Sequence, residues 1–332
     1  MPRIFVQIAS YRDPELVATV EDALQKAANP ENVSFGIVWQ GKSGVDGLPL
    51  HQLDCCRIVL VDSDRSRGVC WARAKAQSLW DGEPYTLQID SHMRFVHGWD
   101  ELLLHMLHQC PSSKPLLTAY PPAYTPPNIL QDGEPTTLGA SHFTEQGILG
   151  LASRLSLRYQ CKPQLGLFIA AGFWFAPAQL IEEVPYDPQL YFQGEEIALT
   201  VRAWTQGWDI YHPNQIVCYH EYERAGKPKH WEDHPTWWRL DQMAHARLRL
   251  LLGMEPGIWS DRDRYGLGTV RSLQSYEHFS SVNFQKQTFG EAARKGVPEG
   301  LAFSLRHSQY LQFTGDASRV MISSASSGLE NK

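Results

Sequence analysis

Short apolar runs alternate with amphipathic stretches over the first hundred residues of this chain. Arg3–Ala9 reads as a short buried strand, and Ser10-Tyr11-Arg12-Asp13-Pro14 as a loop entering a helix, with proline in the first turn where its missing N–H costs nothing. Glu15–Ala28 repeats apolar residues at helical spacing until Asn29-Pro30-Glu31-Asn32 ends it. Val33–Gln40 and Arg57–Val61 predict two further strands, Gly68–Trp80 a helix, and Thr86–Asp90 a fourth strand. Strand–helix–strand units at this spacing predict a parallel sheet with crossover helices, an α/β fold built in the nucleotide-binding manner.

The pattern then changes. After His97-Gly98-Trp99-Asp100 and a predicted helix at Glu101–Gln109, residues 111–143 carry seven prolines, at positions 111, 115, 121, 122, 126, 127 and 135. Such a stretch reads either as a functional loop or lid, or as a surface excursion. Leu165–Phe175 looks like buried strand material, Pro185–Tyr191 is a turn, and Gly194–Gln206 is a helix. Trp208–Pro213 and Gln215–Tyr219 read as strands, the second closed by His220-Glu221-Tyr222-Glu223-Arg224, and Thr236–Leu252 is helical. No internal repeat is present, and the serine-rich tail, residues 318–332, is expected to be mobile.

Composition narrows the function. With 332 residues, 43% apolar and 20% charged, the chain is an ordinary globular protein long enough for a full core. Its formal net charge of −6 lacks the basic excess of a dedicated nucleic-acid binder, so a gripped phosphate is expected to belong to a small ligand. Six cysteines without a CxxC pair suggest buried thiols of a reducing compartment. No apolar run approaches the roughly 18 residues of a membrane span, and no secretory leader is read at the start, so a cytoplasmic location is expected.

The candidate chemistry begins at Asp90-Ser91-His92, where an apolar strand ends in an Asp-x-His triplet. A carboxylate and an imidazole at a strand's carboxyl end can share one divalent cation, in the region where open α/β sheets bind ligands. The same triplet also reads as an ordinary strand-end turn. His220 strengthens the metal reading, because it too ends an apolar strand and could be the third ligand, leaving positions open for diphosphate oxygens. Gly194-Glu195-Glu196 opens a helix, so its carboxylates either complement the helix dipole or sit near a sugar or acceptor hydroxyl. Arg65, Arg67, Arg73 and Lys75 form either a solvated face or, through Ser66-Arg67-Gly68 at a helix entry, an anion contact. Arg262 and Arg264, flanked by Gly266 and Gly268, read as an exposed loop or as one that closes on phosphates.

The order Ser10-Tyr11-Arg12-Asp13-Pro14, Arg67-Gly68 with Ala72-Arg73, Asp90-Ser91-His92, Gly194-Glu195-Glu196 and His220 resembles a glycosyltransferase of the GT-A fold. More narrowly, with Tyr265-Gly266-Leu267-Gly268-Thr269-Val270-Arg271-Ser272-Leu273-Gln274-Ser275-Tyr276-Glu277, it resembles the polypeptide α-N-acetylglucosaminyltransferases, which include cytoplasmic enzymes that modify hydroxyproline. The likeness runs from about residue 3 to about residue 285. It is similar too to the mucin-type polypeptide GalNAc transferases, although neither a secretory anchor nor a lectin domain like theirs is expected from the sequence.

The resemblance implies a Rossmann-like mixed sheet flanked by helices in a single GT-A domain, residues 1–317. Residues 1–100 would form its nucleotide-binding half and 101–317 its acceptor half. It implies a UDP-GlcNAc or related UDP-sugar donor, Mn2+ or Mg2+ on Asp90, His92 and His220, and retention at the anomeric carbon. Donor contacts are implied for Ser10, Arg12, Arg67, Arg73, Asp90, Ser91, Arg262 and Arg264, and catalytic roles for Glu195 and Glu196. Trp174 or Trp204 would supply an apolar wall. The acceptor is expected to be a Ser, Thr or hydroxyproline of a protein, or else a glycan, contacted by residues 111–143 and 224–240. Two other readings compete: a non-haem iron oxygenase, since two histidines and a carboxylate also form an iron triad, and a catalytically silent glycan- or nucleotide-binding module.

Overall fold

A computed structural model describes residues 3–42, 49–155, 161–257, 259 and 264–298. Arg262 and the serine-rich tail lie outside the described residues. Strands β1 (Ile4–Tyr11), β2 (Val33–Gly41), β3 (Cys56–Asp62) and β4 (Tyr85–Ile89) are mutually parallel, with α1 (Leu16–Lys26) following β1 and α2 (Val69–Gln77) following β3. The helical spacing read in the sequence is the buried face of α1: Leu16, Thr19, Val20 and Ala23 all face the core.

After β5 (Met93–Phe95) and α3 (Trp99–His108), the chain enters the second half of the sheet. The elements there are β6 (Pro115–Thr118), a small ribbon of β7 (Tyr124–Thr125) and β8 (Ile129–Leu130), the hairpin β9 (Thr136–Phe143) and β10 (Leu149–Leu155), β11 (Gln164–Leu165), β12 (Phe173–Pro177), α4 (Gln179–Glu183) and α5 (Glu195–Thr205). They are followed by β13 (Asp209–His212), β14 (Cys218–His220), α6 (His230–Asp233), α7 (Trp237–Leu251) and α8 (Leu273–Ser280). The main sheet has the order β11-β13-β6-β12-β4-β1-β2-β3, with β12 antiparallel to both its neighbours. It is therefore an open mixed sheet, not the closed barrel an oxygenase reading would need.

Three sequence expectations change. The proline-rich stretch is not a free loop: it contains β6, a central strand of the sheet, and most of its prolines fall between β6 and β8. Pro115 is tolerated because it is the first residue of its strand. Leu165–Phe175 is strand only at its ends. Leu167–Ala171 is buried yet irregular, and side chains replace a ladder: Ile169 N–H donates to Thr200 Oγ1, Ala170 N–H to Thr118 Oγ1 and Ala171 N–H to a Glu196 oxygen. Of Gln215–Tyr219, only the end belongs to a strand, β14, which pairs with β5 rather than with the main sheet. All six cysteines are free thiols; Cys70, Cys110 and Cys218 are buried as expected, whereas Cys161 is exposed.

His212, fully buried, ties β13 to β6 and β9. Its Nδ1–H donates to the Thr118 carbonyl (2.7 Å), and its Nε2 accepts from the Leu138 N–H (3.4 Å). Burial pushes the imidazole from 6.5 down to about 4. Because the folded value is depressed, the contribution is complete above 6.5 and is lost as pH falls through 4, on the order of 3 kcal/mol. Chemical denaturation should show stability falling between about pH 7 and about pH 4.5, and His212→Gln should flatten that slope. An unchanged slope would remove His212 as its cause.

Candidate active site

The carboxyl ends of β1 and β4 meet the amino end of β12. At that junction the Asp90 N–H donates to the Gly172 carbonyl (3.3 Å), and a Cβ at position 172 would stand 2.7 Å from Asp90 Oδ2, so the close approach requires glycine. The β5–β14 register places His220 opposite Met93, beside His92. Donor atoms of Asp90, His92 and His220 thus lie within 4.8 Å of one another, with the two imidazole rings 4.7 Å apart and nearly perpendicular.

This set fits a divalent transition ion: one carboxylate and two imidazoles facing a common space. His92 Nδ1 contacts Asp13 Oδ2 (2.6 Å), an arrangement that fixes the tautomer and leaves Nε2 to ligate. His220 Nε2 faces Asp90 Oδ2 (3.2 Å), and burial pushes the His220 pKa down, favouring the neutral imidazole a metal needs. Burial alone would raise the Asp90 carboxyl, but the His220 contact, Arg73 and His92 hold it well below the usual carboxylate range. Asp13 behaves alike, its burial outweighed by His92 and Arg224.

Helix α5 brings the second group of acids. Its N-cap, Gly194, has φ +89°, a left-handed turn that aims the next two residues at the cavity. Their partners separate them. Glu195 pairs with Arg73 (2.8 Å) and accepts from the Cys70 thiol (3.1 Å), while Arg73 also pairs with Asp90 (2.7 Å). Glu196 accepts from the Tyr120 hydroxyl (2.7 Å) and the Ala171 N–H (3.0 Å). Burial pushes Glu196 up to about 7, and those two hydrogen bonds offset it only in part. Glu195 is also raised by burial, with Arg73 opposing.

A cavity of about 600 Å³ collects Asp90, Ser91, His92, His220, Arg73, Glu195 and Glu196. Other expected residues stand apart from it. Ser10 is buried, and its carbonyl accepts from Gln40. Arg12, at φ +48°, is paired with Asp233 (2.5 Å) on α6. Arg67 is exposed at the rim of a different hollow, and Arg264 lies over the Tyr265 ring (5.4 Å) while its carbonyl accepts from Arg202. Neither expected tryptophan walls the cavity: Trp174 is buried in the core, and Trp204 stacks on Phe279. From the 224–240 stretch, Arg224, Lys229, His230 and Trp231 do reach the cavity.

Sequence reading passed over Asp13 and Tyr120. Asp13 also accepts from Ser91 Oγ (2.8 Å) and pairs with Arg224 (3.1 Å), so three groups converge on it. The available signal was its place directly before Pro14, at the mouth of a helix that follows a strand. Nothing local marks Tyr120, which is defined only by the folding of the proline-rich stretch.

The sequence matches the family described as Glycosyltransferase (GlcNAc) over residues 3–54 and 47–286. The chain belongs to this glycosyltransferase family. No curated protein matches it. Among solved structures, GalNAc-T7, crystallised with UDP, GalNAc and Mn2+, is similar with a TM-score of 0.58 at 12% identity, over 83% of this chain and 56% of that one. The transferase thus spans little more than half the length of that protein. Residues 1–349 of TarS from S. aureus give a TM-score of 0.45 at 11% identity, covering 78% of this chain and 76% of that one. The same TarS fragment in complex with UDP-GlcNAc gives 0.45 at 10% identity, covering 78% and 68%. The mixed sheet flanked by helices and the GalNAc-T7 likeness are those of a GT-A fold. No helix among the described residues is long and apolar enough to cross a membrane.

Glu196 gives the transferase a stability signature opposite in sign to that of His212. Its folded pKa is raised from 4.5 to about 7, so its contribution is present below 4.5 and is lost as pH rises through 7, on the order of 3 kcal/mol. Glu196→Gln should therefore stabilise the protein at about pH 8 relative to about pH 5, measured by denaturant midpoints. Equal shifts at both pH values would contradict the elevated carboxyl.

Proposed function

We propose that this transferase moves N-acetylglucosamine from UDP-GlcNAc to a hydroxyl of a protein, a Ser, Thr or hydroxyproline, with retention of configuration. The observation that carries the reading is the convergence of Asp90, His92 and His220 in the cavity that also holds Arg73 and Glu196. The structural neighbour crystallised with UDP, GalNAc and Mn2+ supports a nucleotide-sugar donor and a divalent ion. In this reading the chain up to residue 317 acts as one catalytic unit, its first hundred residues serving the donor and the remainder the acceptor.

Mn2+ or Mg2+ held by Asp90, His92 and His220 would supply Lewis acidity toward the leaving diphosphate. The chain's own residues do the rest. Asp13 orients His92, and Arg73 pairs with Asp90 and helps hold it ionised, opposes the burial that raises Glu195, and adds positive charge on the donor side. Ser91, which lines the cavity beside Asp90, completes that side. In a same-face transfer the acceptor hydroxyl approaches beside the leaving phosphate, which can take its proton, so no strong protein base is needed. Glu196, poised near neutrality, orients a sugar or acceptor hydroxyl by exchanging hydrogen bonds, with Tyr120 holding it in place.

Calorimetry of UDP-GlcNAc and UDP with Mn2+ and then with EDTA tests the core of this reading. Binding should require the ion, and His92→Ala should abolish the metal-dependent part while circular dichroism stays unchanged. Ion-independent binding, or full turnover by His92→Ala, would refute it. Asp13→Asn should weaken Mn2+ affinity roughly 10- to 100-fold, with turnover recovered at saturating Mn2+. Loss of turnover that added Mn2+ fails to rescue would instead make Asp13 a purely structural residue.

A further inference from the structure

The apolar lining of the catalytic cavity continues past its mouth. Tyr191 is buried, stacks on Trp237 (6.1 Å between ring centroids), and walls both that cavity and a second hollow of about 500 Å³. Pro188, Leu190, Leu240, Met243, Ala246 and Leu250 line the second hollow. Phe192 and Trp231, whose rings meet at the cavity (5.7 Å between centroids), and Leu240 and Met243 at the second hollow are between 37% and 66% exposed. Exposed apolar area is costly at about 25 cal/mol per Å², and a contiguous patch of it marks a surface that something covers.

Charge adds direction. Within the hollow, Arg247 is paired with Asp187 (2.6 Å) and Glu255 with Arg249 (2.5 Å). Arg67, exposed at its rim, has no ion pair among the described residues. Among the described residues, the uncompensated charge at the hollow is therefore positive.

We propose that this hollow is a second acceptor subsite. It holds an apolar side chain of a polypeptide that carries an acidic residue nearby, while the reacting hydroxyl of the same polypeptide occupies the catalytic cavity. The inference rests on the transferase reading above and adds the acceptor's flanking chemistry to it. A glycan suits the hollow less well, because aliphatic and thioether walls would leave sugar hydroxyls without hydrogen-bond partners. An apolar side chain loses water there at no such cost, and its acidic neighbour meets Arg67. Tyr191 lines both hollows, so they lie side by side, and one extended chain would span both.

The test uses the full chain with UDP-GlcNAc, Mn2+ and synthetic peptides that each carry a single Thr or hydroxyproline among varied flanking residues. Donor hydrolysis without peptide is measured in parallel. Peptides with Leu or Met and with Asp or Glu in the flanks should be used about tenfold more efficiently than those with Gly, Ser or Lys. Met243→Asp should erase the apolar preference and leave donor hydrolysis unchanged; Arg67→Glu should erase or invert the acidic one. Peptide transfer without flanking preference, or preferences that survive both substitutions, would overturn the subsite. So would transfer to oligosaccharides but to no peptide while donor hydrolysis persists. Absence of both donor hydrolysis and transfer in the wild type would instead remove the transferase reading, and the subsite with it.

Discussion

The constraint on which the rest depends is a half-buried carboxylate, Asp90, that has to stay ionised. Asp90 can neither hold a cation nor keep its geometry as a neutral acid, yet removing an ion from water costs several kcal/mol unless partners replace the solvent. The fold supplies them from four directions. Arg73 comes from α2, His220 from β14, His92 from the chain just after β4, and the close backbone at Gly172 precedes β12. Arg73 is itself buried, so it needs a second anion, and α5 delivers Glu195. One charge requirement thus couples the order of the strands to the entry angle of a helix.

That coupling explains why adjacent glutamates acquire different characters. Glu195 completes the Asp90–Arg73 pair and is committed to holding the cluster together. Glu196, one residue on, meets a phenol and a backbone amide instead of a cation, and burial raises it to about 7. Environment, not residue type, separates the two, as in enzymes whose paired carboxyls divide the work between them. The far end of the cavity is built differently. There α6 and the residue after it are held by the Arg12–Asp233 pair, by the Tyr11 hydroxyl on Asp233, by the contact of His230 with the Tyr191 hydroxyl (2.6 Å) and by that of His234 with the Ser63 carbonyl (2.9 Å).

Much of the fold was legible because period and burial coincide. The parallel strands β1 to β4 are predominantly apolar, and α1 shows its buried face at helical spacing. Asp90, His92 and His220 were legible because each ends such a run. The second half was harder for stated reasons. Leu167–Ala171 carries the composition of a strand, but its amides are satisfied by Thr118, Thr200 and Glu196, which no local pattern announces. Prolines pointed to a loop and concealed β6, because a proline at a strand's first residue leaves the ladder intact. Arginines misled most: sequence places Arg67 at a helix entry suited to an anion, whereas its side chain faces away from the cavity, toward the hollow beside α7.

This placement of arginine divides the molecule's chemistry. Inside the cavity, Arg73 is locked between two carboxylates and Arg224 between Asp13 and Glu221, so their positive charge is largely spent on internal order. The histidine–carboxylate set is then the part of the cavity best suited to a doubly charged ion, which would supply what the paired arginines do not. Outside it, Arg67 keeps its charge for solvent or a partner. Donor chemistry therefore draws on a preorganised interior whose charges balance, while recognition of whatever extends beyond the cavity falls to exposed side chains on Tyr191's other face. In the reading proposed above, changes at Leu240 and Met243 would alter which chain is presented without disturbing the ion pairs on which the fold itself relies.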